Sequence, residues 1–315
     1  MATPRFRGLC HLIVVYVVWG STYLAIRIAV REGSGFPAFT MAGMRVAAAS
    51  LILISWVALS GKSLRVGRRE LGVLAVSGVL LWLGGNGLVS WAERRAQSGY
   101  SALLIGALPV WVAIMESIID RRAPTWRLVA ALLVGLAGVA VLNGPVILNG
   151  SSQDLYAAVA LIAAAVSWGL GTILQKRRAR SLGAEVSSGY QQLAGGVALF
   201  LVAFLTGEPR PAPIPEAWAA WGYLVVLGGV IAFTSFIKAL RLLSTSIVMT
   251  YAYVNPVVAV VLGRVILGEP ITVWTIGGTV LIVLGVMGVF HERRGVSGRG
   301  TSGRVSSNRL DKPSV

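Results

Sequence analysis

The chain has 315 residues, of which 56% are hydrophobic and 13% charged, and carries a formal net charge of +16. Soluble domains hold about 25% charged residues, so the composition excludes a soluble globular protein and points into a membrane. A single cysteine, Cys10, excludes a disulfide framework within the chain.

A helix needs about 20 apolar residues to cross a bilayer. The apolar runs predict ten such helices, at residues 9–30, 36–59, 70–91, 98–119 and 126–148, then 155–175, 186–206, 218–238, 247–267 and 271–290. Arg5 and Arg7 before the first run give it the look of a signal peptide. Its apolar stretch exceeds the usual h-region of about 7–15 residues, and further spans follow, so it reads as an uncleaved first helix. Residues 291–315, rich in Gly, Ser and Arg, read as a disordered basic cytoplasmic tail. The pairs Gly84-Gly85, Gly195-Gly196, Gly228-Gly229 and Gly277-Gly278 suit helices packed backbone to backbone, because lipid supplies no hydrophobic drive between helices.

The basic residues orient the chain. With the N-terminus in the cytoplasm, the inner segments hold 21 Lys and Arg and the outer segments six, with Arg45 inside a span. The positive-inside rule therefore predicts both termini in the cytoplasm. The positive charge is accounted for by orientation at an anionic leaflet, and no nucleic-acid partner is expected.

Two echoes divide the chain. Trp19-Gly20-Ser21-Thr22-Tyr23 lies halfway along the first run, and Ser167-Trp168-Gly169 halfway along the sixth, the tryptophans 149 residues apart. Pro109 and Pro256, each at the middle of a run, are 147 apart. One five-helix module is written twice, over residues 9–148 and 155–290. Because five is odd, the second copy enters the membrane upside down, as in the inverted repeats of secondary transporters. The fold class expected is an all-α integral membrane protein with ten transmembrane helices in two inverted repeats.

Pathway residues follow from depth. Pro109 and Pro256 remove a backbone hydrogen bond in mid-span and serve either as two hinges or as static kinks. Trp19 and Trp168 lie deep, although membrane tryptophans prefer interfaces, so they line a cavity or pack the core. Ser21, Tyr23, Asn86, Gln191, Tyr251 and Asn255 are the neutral pathway candidates. Tyr251 and Tyr253, two apart on a helix, cannot both face the pathway. Arg45 lies within the second span. Arg27 and Glu93 lie at the outer ends of theirs. These three are expected to form an outer charge cluster that gates the pathway or attracts an anion, unless the arginines snorkel to headgroups. No carboxylate lies near mid-depth, which argues against a proton relay through the membrane centre. Coupling through a peripheral group stays open. No acidic cluster suits Mg²⁺, and His11 and His291 sit at the rims, so no metal, cofactor or enzymatic activity is expected. No repeated filter or charged ring suggests a channel.

The chain resembles the EamA-type branch of the drug/metabolite transporter superfamily and, within it, the YedA-like exporters. The residues that carry the likeness are Trp19-Gly20-Ser21-Thr22-Tyr23 with Arg27, Met41-Ala42-Gly43-Met44-Arg45, Gly85-Asn86-Gly87 with Ala92-Glu93, the helix of Pro109, Tyr251-Ala252-Tyr253-Val254-Asn255-Pro256, and Gly268-Glu269-Pro270. The first half departs from the pattern at Asp120-Arg121-Arg122-Ala123-Pro124, which lacks the Gly-Glu that precedes Pro270. The resemblance implies a secondary transporter of the bacterial inner membrane that exports small metabolites, amino acids or related compounds foremost. The alternatives are a proton-coupled drug antiporter, a nucleotide-sugar or sugar-phosphate exchanger, and a channel. Its partners would be a small-molecule substrate and the lipid bilayer. A complete inverted pair in one chain makes a monomer sufficient.

Overall fold

A computed structural model describes residues 3–31, 33–94, 101, 104–144, 148, 155–179, 182–267 and 271–302. Among them every regular element is helical. In chain order they are α1 (Pro4–Val30), α2 (Ala38–Leu59), α3 (Arg68–Ala92), α4 (Leu108–Asp120), α5 (Trp126–Leu142), α6 (Leu155–Arg178), α7 (Ala184–Leu205), α8 (Pro215–Leu242), α9 (Thr245–Met249), α10 (Tyr251–Leu267) and α11 (Val273–Ser302). Local chemistry sets several starts. The Thr3 hydroxyl accepts from the Phe6 amide with Pro4 in the first turn, and Thr125 and Ser244 cap α5 and α9 in the same way.

Among the described residues seven helices are long and apolar enough to cross a membrane: α1, α2, α3, α6, α7, α8 and the stretch Val273–Glu292 of α11. At the fourth, fifth and ninth expected positions the described helices are shorter. Ala107 turns just before α4, and Thr250 turns between α9 and α10. The helix of α11 runs to Ser302, so the first part of the segment expected to lack structure is helical. Residues 303–315 and the Gly268-Glu269-Pro270 motif lie outside the described residues.

Polarity is arranged for lipid. Trp56, Leu59, Phe204 and Leu205 face outward, while Arg45, Gln191, Gln192 and Asn255 are buried. Small residues allow the helices to touch. A Cβ at Gly285 of α11 would lie 2.5 Å from the Gly135 nitrogen of α5, and one at Gly78 of α3 would strike the Gln191 carbonyl of α7. Such contact replaces the missing hydrophobic drive with van der Waals packing. The main pairs are α5 with α11, α2 with α7, α3 with α6 and α7, and α1 with α8 and α10.

Two of these helices change gear in the middle. Residues Val79–Gly87 of α3 and Leu224–Ala232 of α8 are π-helical, nine residues each and 145 apart. Each contains one of the double glycines. A π turn loosens the ladder and turns carbonyls sideways, and such turns recur at functional sites. Here the carbonyls find donors on neighbouring helices. Ser167 Oγ donates to the Leu80 oxygen (2.8 Å), Trp19 Nε1 to the Gly228 oxygen (3.3 Å) and Gln192 Nε2 to the Gly229 oxygen (3.2 Å).

Candidate functional site

The two Trp-Gly echoes meet at the centre of the bundle. The rings of Trp19 and Trp168 stand edge to face with centroids 5.5 Å apart, and Tyr251 closes on Trp19 at 4.9 Å. Phe233 and Phe236 of α8 pack beneath the tryptophans, on the side of the N-terminus. The glycines next to the tryptophans bring the helices in. Gly20 lies against Val258 and the Asn255 carbonyl of α10, and Gly169 against Val112 and Met115 of α4.

A cavity of about 70 Å³ sits on this aromatic floor. That volume admits ordered water where polar groups hold it. Of the expected pathway residues, Trp19, Tyr23, Arg45, Asn86, Trp168, Tyr251 and Asn255 line it together. Arg45 is only 2% exposed. Its Nη1 donates to Asn86 Oδ1 at 3.3 Å, and its guanidinium lies 5.5 Å from the centroid of Trp82. Among the described residues no carboxylate pairs with it, and its Nε and the Asn255 Oδ1 have no hydrogen-bond partner. A buried guanidinium held only by an amide and a ring is a ready anion site. The indole and phenol faces beside it suit an organic cation.

The remaining candidates fall elsewhere. Ser21 bonds the Val18 carbonyl and the Tyr223 hydroxyl, turned away from the cavity. Gln191 Nε2 donates to Ser77 Oγ (2.7 Å) and Gln175 Oε1 (3.0 Å) in a buried network closer to the N-terminal face. Tyr253, unlike Tyr251, turns away from the cavity, is fully buried and donates to the Leu132 carbonyl at 2.8 Å. Pro109 occupies the first turn of α4, where its missing N–H costs little. Pro256 lies inside α10, beside Asn255. The expected trio of charges splits. Arg45 belongs to the cavity, whereas Arg27 and Glu93 sit one turn beyond it, past Tyr23 and Val89. Glu93, the residue after the α3 span, is 3% exposed, and neither carboxylate oxygen has a hydrogen-bond partner among the described residues. Burial pushes its pKa up to about 8 against the opposing pull of Arg27. Trp82, which walls the cavity, carries no signal in the sequence because it sits in a uniformly apolar run with no periodic contrast.

The pattern of the EamA-like transporter family matches residues 6–144 and again residues 155–291. The uncharacterized inner membrane transporter YedA of Escherichia coli strain K12 is 33% identical over 276 residues, 85% of this chain and 87% of its own. A probable terminal-alkyne amino-acid exporter of Streptantibioticus cattleyicolor is 30% identical over 91% of this chain and 94% of its own. An S-adenosylmethionine/S-adenosylhomocysteine transporter of Chlamydia trachomatis is 24% identical over 93% of each. A solved crystal structure superimposes with a TM-score of 0.76 at 21% identity, covering 92% of this chain and 98% of that one, which establishes the fold. The long apolar helices and the inner-membrane relative make this a multi-pass protein of the inner membrane. With both halves matched and a relative at 33% identity over most of the length, the chain belongs to the EamA-like transporter family.

Proposed function

We propose that the protein is a secondary transporter that exports amino acids or closely related zwitterions by alternating access, with the central cavity as the substrate site. The observation that carries this reading is Arg45: a buried guanidinium with a free Nε and no carboxylate partner among the described residues, set in an aromatic chamber beside the unpaired Asn255 oxygen. A substrate carboxylate completes Arg45, and a substrate ammonium completes Asn255 Oδ1 and the ring faces of Trp19 and Tyr251. Trp82 and Asn86 hold the guanidinium in place meanwhile. The name of the Streptantibioticus relative, an amino-acid exporter, agrees with this chemistry.

The frame around the site is ten membrane helices in two inverted five-helix repeats, residues 9–148 and 155–290, with both termini in the cytoplasm and the monomer as the working unit. Support comes from the double family match and from the 21-to-six bias of basic residues. The two π-helical segments, 145 residues apart, add to it. In this scheme the halves rock about the tryptophan pair, and the π segments and the turns at Ala107 and Thr250 supply the bending points.

Ligand-induced stabilisation of the purified protein tests the chemistry. A ligand bound only by the folded state raises stability with concentration. An α-amino acid should raise the Tm, and its amide and its deaminated analogue should each do so less. Equal shifts from the acid and the amide would remove Arg45 as the anchor.

A further inference from the structure

Glu93 lies at the rim and has no part in the proposed substrate site. It caps the C-terminal end of α3, where the helix dipole is negative and disfavours a carboxylate. It is buried, and neither oxygen accepts a hydrogen bond among the described residues. An ionised carboxylate in that setting has its desolvation offset by no hydrogen bond among the described residues. The helices packed against this end of α3 are α6, α2 and α1. Near this end α6 carries Tyr156, which is exposed, and α1 carries Tyr23 and Arg27, while Arg45 of α2 lies in the cavity and bonds Asn86. Arg27 is the one cation among these that pulls on Glu93, and it is itself exposed. The opposing charge therefore stands at the protein surface while the carboxyl group is buried.

We infer that Glu93 is a proton-binding site of the transport cycle, protonated while the rim between α1 and the end of α3 is dry and ionised when that rim opens to water. The proton comes from, and returns to, the water on that face. The sign follows from the two states. In the dry rim the carboxyl titrates at about 8, and in water at about 4.3. Between those values closing the rim takes up a proton, so closure is favoured as pH falls, by about tenfold in the open-to-closed ratio per pH unit. The closed form loses this support as pH rises through about 8. The inference rests on the reading of the rim as one end of a transport pathway, but both readouts below need no substrate, so failure to find a transported amino acid leaves them standing.

The test uses the full chain in lipid. Infrared difference spectra between alkaline and neutral pH should show the C=O stretch of a protonated carboxylic acid that is missing from Glu93→Gln. Removing the cation in Arg27→Gln should move that titration to higher pH. In parallel, Ile26→Cys on a Cys10→Ser background places a thiol in the cavity wall beside the rim. Its labelling by a water-soluble maleimide, corrected for thiolate content, should fall about tenfold per pH unit on acidification from pH about 8 to about 6, and be flat when Glu93→Gln is added. A neutral-pH spectrum identical in wild type and Glu93→Gln, or labelling that falls equally in both, would overturn the inference.

Discussion

Trp19 donates its indole N–H to the carbonyl of Gly228, 209 residues later, and so ties the first Trp-Gly stretch to the π-helical segment of α8. Trp168 meets the other π-helical segment, where a Cβ on Gly85 would lie 2.6 Å from its ring. Each tryptophan thus rests on the irregular segment of the opposite half. Irregular backbone deep in a membrane persists only where protein or trapped water satisfies it, and here the first-helix residues of one half do so for the other. Trp19→Phe keeps the ring and deletes the donor. It should lower stability by about 1 kcal/mol, read as a lower Tm, with a larger loss of transport than of fold.

With Arg45 as the proposed anchor, its replacement should act on substrates by their charge. A charge-assisted hydrogen bond contributes about 1.5–3 kcal/mol, so Arg45→Gln should weaken binding of a carboxylate substrate by roughly 10- to 100-fold. Arg45→Lys should recover only part, because a single ammonium cannot reach Asn86, the Trp82 face and a carboxylate at once. Equilibrium binding of a radiolabelled amino acid and of its amide to the three proteins reads the difference.

Gln191 separates structure from pathway. Its amide supplies hydrogen bonds to Ser77 and Gln175, both buried. Gln191→Leu strands their oxygens, at a cost of about 1–3 kcal/mol. The Tm should fall while the half-saturating substrate concentration stays within about twofold of wild type. A large change in apparent affinity with no loss of Tm would return Gln191 to the pathway.

Helix contact has its own test. Gly285→Ala forces a methyl to within 2.5 Å of the Gly135 backbone, an overpacking that costs about 1–3 kcal/mol. Gly72→Ala, which has nothing within 4 Å of its added Cβ, should leave stability equal or slightly higher, since Ala favours helix over Gly. Thermal unfolding in the same detergent compares the two.

The centre of the cavity was legible because it is written twice. The 149-residue echo marked both tryptophans, and helical spacing explains the rest of that face: Trp19, Thr22, Tyr23 and Ile26 recur at three and four residues and all line the cavity. The same spacing excludes Ser21, two residues from Trp19, and it bonds Tyr223 instead. Charge identity and approximate depth placed Arg45, Arg27 and Glu93 near one another. Helix rotation, which no local pattern encodes in an apolar span, sent Arg45 to the cavity and left the other two at the rim. Rotation likewise turned Gln191 into a buried network. The π segments appear in the sequence only as double glycines, which also serve plain packing, because their carbonyl chemistry arises from contacts with distant helices.

Counterflow of a radiolabelled amino acid in proteoliposomes, wild type beside Arg45→Gln, tests the substrate site most directly. Vesicles loaded with unlabelled amino acid should accumulate label through the wild-type protein and lose that overshoot when Arg45 is neutralised, with the variant shown to be folded by its Tm. An overshoot that survives Arg45→Gln undiminished would contradict the assignment of the central cavity as a carboxylate-binding transport site.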